Sequence, residues 1–179
     1  MNSAVRHVVL VGLMGSGKTT VGRRLARDLG IDFVDTDACI EERTCRSIRE
    51  IFAGDGESHF RDLETDILTS VLGSSHRCVI ATGGGIVVRE SNRRALAAHH
   101  VIWLRASPVL LASRLGRQAR RGVGHRPLVD GDPLAKLTAM STERRSMYEE
   151  VSDVVIDVDS LSVDQIVRIS LETIEGSVP

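Results

Sequence analysis

The chain has 179 residues, 42% of them apolar and 26% charged, a composition that fills one globular core and leaves too little for two. Its formal net charge of −1 gives no overall pull toward nucleic acid or an anionic membrane, and no apolar run reaches the ~18 residues that would span a bilayer. A single domain over residues 1–179 is therefore expected, with no nucleic-acid or membrane partner and with any positive site confined to a local patch.

The first apolar run, HVVLVGL (7–13), lacks the cleavage pattern of a secretory leader and reads as a strand that enters a glycine loop. Helical spacing follows over 19–29, and IDFVDTD (31–37) reads as a second strand ending in two carboxylates, Asp35 and Asp37. A helical pattern over 57–72 leads to a third strand, CVIATGG (78–84), which runs into Gly83, Gly84 and Gly85. After a helix over 91–98 come a fourth strand, HVIWLRA (100–106), and a helix over 108–115. The next segment, GRQARRGVGHRPLVDGD (116–132), has four glycines, four arginines and almost no apolar period, and is the candidate mobile region. A helix over 133–151 and a fifth strand, DVVIDVD (153–159), complete the pattern. Strands alternating with helices predict an α/β fold, a five-stranded parallel sheet with helices on both faces. Ligands of such sheets sit beyond the carboxyl ends of the strands. The glycine loop, the carboxylate pair and the triple glycine all follow strands, so they are expected to share one cleft. The three cysteines, Cys39, Cys45 and Cys78, are odd in number and fit no zinc spacing, which points to reduced thiols and a cytoplasmic protein.

The segment from Gly12 to Thr20, GLMGSGKTT, matches G-x-x-x-x-G-K-[ST] between a strand and an amphipathic helix, the context that gives this motif its meaning. Backbone N–H groups at Gly15, Ser16 and Gly17 can wrap phosphate oxygens, and the start of the following helix, with Thr20 in its first turn, adds favourable dipole charge. Lys18 can reach β- and γ-phosphates, and the Thr19 hydroxyl can ligate the accompanying magnesium ion. Lys18 and Lys136 are the only lysines among 23 basic residues, so the lysine here is no casual positive charge. Nucleoside triphosphate binding follows. The base-reading N-K-x-D and γ-phosphate D-x-x-G segments of a GTPase switch are absent, whereas a small-molecule kinase needs an acceptor pocket, a group to orient a hydroxyl, and a lid.

Residue types alone leave several roles open. Asp37 can be the N-cap of a helix from Ala38 with Asp35 a turn residue, or the two anions can face metal and substrate. Arg61 can be a solvated helix arginine, the triple glycine a simple turn, and the arginine-rich segment a solvated loop.

Taken together, GLMGSGKTTVGRRLA, DTDACIE, SIREIFAGDGESHFRDLE, ATGGGIV, HRPLV and ERRSMYEE, in this order over residues 7–158, resemble the shikimate kinase family from end to end. The resemblance implies a three-layer P-loop fold of the nucleoside-monophosphate-kinase type with a mobile lid over about 116–131. It also implies a substrate-binding region over about 35–61, and transfer of the ATP γ-phosphate to the 3-hydroxyl of shikimate. Lys18, Asp37 and Arg126 would be catalytic, with Asp37 holding the acceptor hydroxyl and Arg126 closing on the transferring phosphoryl group. Thr19 and Asp35 would face Mg2+. Arg61, Arg144 and the backbone of Gly83, Gly84 and Gly85 would hold shikimate. An earlier lid arginine, Arg117 in preference to Arg120, would join Gly15, Ser16, Gly17, Lys18, Thr19, Thr20 and Arg126 in binding ATP. The chain departs from the family in having Ser-Met before Tyr148 where Pro-Leu is familiar, and Arg145 beside Arg144. A monomer is expected.

Overall fold

The computed structural model describes residues 6–120 and 132–176, except the side chains of 118–120. Five strands, β1 (Val8–Val11), β2 (Asp32–Asp35), β3 (Cys78–Ala81), β4 (His100–Arg105) and β5 (Val154–Asp157), form one parallel sheet in the order β2-β3-β1-β4-β5. Each lies inside a predicted run. Central β1 pairs Val9 with Ile80 of β3 and with Val101 of β4, and all four of its residues are buried. Burial on both faces accounts for an unbroken β-branched run in place of alternation.

Among the described residues eight helices surround the sheet: α1 (Lys18–Leu29), α2 (Thr36–Thr44), α3 (Ile48–Gly54), α4 (Gly56–Leu72), α5 (Glu90–Leu96), α6 (Pro108–Arg120), α7 (Pro133–Val151) and α8 (Val163–Glu175). They pack as two groups, α1 with α8, and α4 with α5, α5 with α7, and α7 with α6. The result is the parallel sheet with helices on both faces that the sequence pattern predicts, and the three-layer P-loop fold that the resemblance implies. Helices α3 and α8 go beyond the predicted elements, and each opens on a capping box, Ser47 with Glu50 and Ser162 with Gln165. Asp132 caps α7 ahead of Pro133, whose missing N–H costs nothing in the first turn.

Two ends differ from expectation. Helix α6 continues past Leu115 to Arg120, so 116–120 are helical; a lone glycine at 116 costs only about 1 kcal/mol in a helix. The rest of the expected lid, with Arg126, lies outside the described residues. At the other end, α2 begins at Thr36, and its N-cap is Asp35, not Asp37.

Apolar burial divides in two. The main core fills both faces of the sheet, while Ile40, Ile51, Phe60 and Ile67 form a smaller cluster between α2, α3 and α4, with the Phe52 and Phe60 rings 4.6 Å apart. This second core supports the segment 35–61.

Helix α2 stops at Cys45, which has φ 51°, ψ 30° in the left-handed region and is exposed. A side chain costs about 1–2 kcal/mol in that conformation, and glycine's extra freedom in the unfolded chain takes back about 0.5–1 kcal/mol of the relief. Cys45→Gly is accordingly expected to stabilise the protein by about 0.5 kcal/mol, seen as a higher urea midpoint at unchanged slope, and Cys45→Val to do the reverse. A lower midpoint for Cys45→Gly contradicts this account.

Candidate active site

The carboxyl end of β1 opens into residues 12–17, where Gly15 (φ 81°) and Gly17 (φ 103°) adopt conformations that a side chain would strain. Gly17 caps α1 without a side-chain hydrogen bond, so the first N–H groups of the helix face the loop. Lys18 is buried and curls back over the loop, its Nζ donating to the carbonyls of Gly12 (2.7 Å) and Leu13 (3.0 Å). Ser16 is buried below it. The adjoining cavity, about 290 Å3, is lined by Gly15, Gly17, Lys18, Thr19, Thr20, Asp35 and Asp37, and also by Glu41. The expected shared cleft thus joins the loop to the carboxylate pair.

Asp35 and Asp37 have separate surroundings. Asp35 Oδ1 accepts from the N–H groups of Asp37 (3.1 Å) and Ala38 (3.4 Å), and its Oδ2 accepts from Thr19 Oγ1 (2.7 Å). It therefore caps α2 and touches the phosphate loop at once. Asp37, in the first turn of α2, reaches toward the triple glycine: a Cβ on Gly83 would come within 2.7 Å of Asp37 Oδ1 and nearer still to Glu64 Oε1. No side chain fits there.

Glu64, which no motif singles out, lies against Gly83. It has no exposed surface, lies one helical turn after Arg61 on α4, and forms an ion pair with Arg61 Nη1. Burial pushes the Glu64 carboxyl above its ordinary range, against the pull of Arg61, with the Asp37 anion pushing the same way as burial. Arg61 is only 5% exposed, so it is no solvated helix arginine. Burial opposes its charge, but the anions of Glu64 and Glu57 more than offset this and raise its pKa. A Cβ on Gly85 would overlap the Arg61 guanidinium.

Helix α7 supplies the opposite wall. It turns Arg144 inward, 6% exposed, with Nη1 donating to the Gly84 carbonyl (3.1 Å), and turns Arg145 outward to pair with Glu149 (2.9 Å). The neighbouring arginines thus have different surroundings. Tyr148 Oη donates to the same Gly84 carbonyl at 2.6 Å, and the Gly83 N–H donates to Thr36 Oγ1 at 3.2 Å. Of the three glycines, then, the first has its N–H engaged by the protein.

On the far side of the loop, Arg114 Nη1 donates to the carbonyls of Gly15 (3.0 Å) and Ser16 (3.3 Å). Together with Arg117, one turn later on α6, it borders a second cavity of about 500 Å3 that Leu161, Val163 and Ile166 close with apolar surface. Arg117 is exposed, and the Arg120 side chain lies outside the described residues. The i, i+3 spacing of Arg114 and Arg117 is the signal by which the sequence could have singled out Arg114.

A family model described as shikimate kinase matches residues 14–175. A shikimate kinase of Symbiobacterium thermophilum is 43% identical over 94% of this chain and 96% of its own, and one of Mycobacterium tuberculosis is 41% identical over 96% and 94%. Among solved structures, the shikimate kinase of Acinetobacter baumannii in complex with shikimate superposes with a TM-score of 0.89 at 33% identity, covering 99% of this chain and 97% of that one.

The burial of Glu64 generates a stability contrast. Glu64→Gln leaves the buried Arg61 charge with only the exposed Glu57 as anion, and is expected to cost about 3 kcal/mol in urea unfolding. Glu57→Gln, acting at the surface, is expected to cost less than about 1 kcal/mol. Equal losses would show that burial does not separate the two contacts.

Proposed function

The chain belongs to the shikimate kinase family, and from this we propose that Lys18, Asp37 and Arg126 carry the transfer of the γ-phosphoryl group of ATP to the 3-hydroxyl of shikimate. The observation that carries the reading is the convergence, at one end of the sheet, of a phosphate loop, a carboxylate against a glycine floor, and two buried arginines. The Nε of Arg61 and of Arg144 are both buried with no hydrogen-bond partner among the described residues. Two such donors suit an anionic acceptor, because planar guanidiniums fix a carboxylate in orientation where ammonium groups act as point charges.

In the proposed reaction Lys18 leaves the Gly12 and Leu13 carbonyls for the β- and γ-phosphate oxygens, which compete for the same ammonium with full negative charge. The backbone of Gly15, Ser16 and Gly17 and the first turn of α1, with Thr20, bind the phosphates. Thr19 and Asp35 are the residues that would hold Mg2+: a hydroxyl and a carboxylate already in contact on the cavity wall form the hard oxygen set this ion prefers. When bound there, the ion would supply positive charge that offsets the charge of the phosphates. Asp37 accepts a hydrogen bond from the acceptor hydroxyl and aims its oxygen at phosphorus. The loose transition state of phosphoryl transfer needs orientation more than full deprotonation.

Arg61 and Arg144 hold the shikimate carboxylate, and Gly83, Gly84 and Gly85 admit the ring by having no side chains. Arg126 brings positive charge to the transferring group, where charge develops in the transition state. Arg114 and Arg117 flank the nucleotide base against the apolar surface of Leu161 and Val163. Free cysteines at 39, 45 and 78 support a reducing, cytoplasmic setting.

The deciding measurement is ADP release by purified protein with shikimate, quinate, gluconate or water as acceptor. Shikimate is expected to stimulate it far above the others, and equal rates would reject the assignment. Within that assay Asp37→Asn is expected to lower turnover by about 100-fold or more while ATP still binds. Asp35→Asn is expected instead to raise the magnesium concentration needed for half-maximal rate; identical magnesium titrations for the two variants would show that their roles are wrongly divided.

A further inference from the structure

The glycine floor is gripped at two successive points, and two of the side chains that grip it, Tyr148 and Thr36, have no part in the proposed reaction. The Gly84 carbonyl accepts from both Arg144 Nη1 and Tyr148 Oη, which fills its two lone-pair directions, and the Gly83 N–H donates to Thr36 Oγ1. A trans peptide sets C=O and N–H on opposite sides, so a carbonyl fixed toward α7 sends the Gly85 N–H away from α7. Both gripping groups are rigidly mounted. Tyr148 is 1% exposed, with its ring stacked on Trp103 at 5.2 Å, and Thr36 is fully buried between the two site carboxylates in sequence. We propose that Tyr148 and Thr36 are positioning residues of the acceptor site, holding the Gly83–Gly85 backbone in the one peptide orientation that meets the substrate ring.

The double grip on Gly84 has a reason. Once Arg144 turns toward a substrate carboxylate, its hydrogen bond to the Gly84 carbonyl is weakened, and Tyr148 Oη remains to keep the peptide from rotating. Burial pushes the Tyr148 phenol far above its ordinary pKa, so it stays a donor across working pH. Thr36 acts on the other end of the floor. Its neighbour Asp37 is the group set against Gly83, so one short segment both anchors the floor and presents the carboxylate beside it.

The inference rests on the acceptor reading above, and steady-state kinetics separate the two. For Tyr148→Phe, which keeps the ring and its stack on Trp103, the KM for shikimate is expected to rise about tenfold, the scale of one lost buried hydrogen bond. The KM for ATP and the kcat per folded molecule should stay within about threefold of wild type. Thr36→Val should raise the shikimate KM similarly, and Thr36→Ser, which restores the acceptor oxygen, should bring it back to within about threefold. An unstable Tyr148→Phe would leave the Thr36→Val and Thr36→Ser pair to carry the test. Wild-type KM in a folded variant, or a loss seen only as lower kcat in proportion to the folded fraction, overturns the assignment for that residue. A wild-type protein indifferent to shikimate overturns the acceptor reading itself, and this inference with it.

Discussion

A carboxylate without exposed surface underlies the triple-glycine side of the cleft. Glu64 balances the buried charge of Arg61, presses against Gly83, and feels both Asp37 and Arg144. Two cations and two anions are thereby brought together, Arg61, Arg144 and Glu64 buried and Asp37 half-buried, and the buried charges are tolerable because the others are near. Glycine at 83 and 85 follows from this crowding: the volume a side chain would need is taken by Glu64 and by the Arg61 guanidinium. The floor is bare backbone because the charges beneath it leave no choice.

The sheet explains how such distant residues meet. Parallel strands all deliver their carboxyl ends to one edge, and the order β2-β3-β1-β4-β5 sets the phosphate loop at the centre with β3 and β2 to one side. Asp35 closes the gap between them by serving α2 as a cap and Thr19 as an acceptor with different oxygens. The phosphate loop and the start of α2 share that side chain.

Much of this was legible in the letters. The phosphate loop is contiguous and flanked by a strand and a helix, so its motif carried its own context, and β-branched runs marked all five strands. Burial of charge is another matter. Helix arginines and glutamates are mostly exposed, and nothing local in FRDLE says that Arg61 and Glu64 pair inside the protein, since that depends on what β3 and α7 bring against them. The pair Asp35 and Asp37 was ambiguous for a similar reason: either can cap a helix, and the choice turned on where α2 starts. The end of α6 is hidden because Gly116 reads as a breaker although the helix tolerates it, and Arg114 reads as one more helix arginine until the fold sets it against the phosphate loop. The long-range strand order leaves no trace in single-sequence spacing.

The division of the apolar interior into two cores bears on how the cleft can behave in time. The phosphate loop grows from β1, the most enclosed strand, whereas α2, α3 and the first part of α4 rest on a cluster of only four buried residues. Regions with few buried contacts open at lower free energy than the body they are attached to, and do so as cooperative units. By that rule the wall formed by α2, α3 and the start of α4 is expected to open at lower free energy than the sheet that carries the phosphate loop. A ligand that touches both parts would then meet one surface already ordered and one whose ordering is part of the free energy of binding.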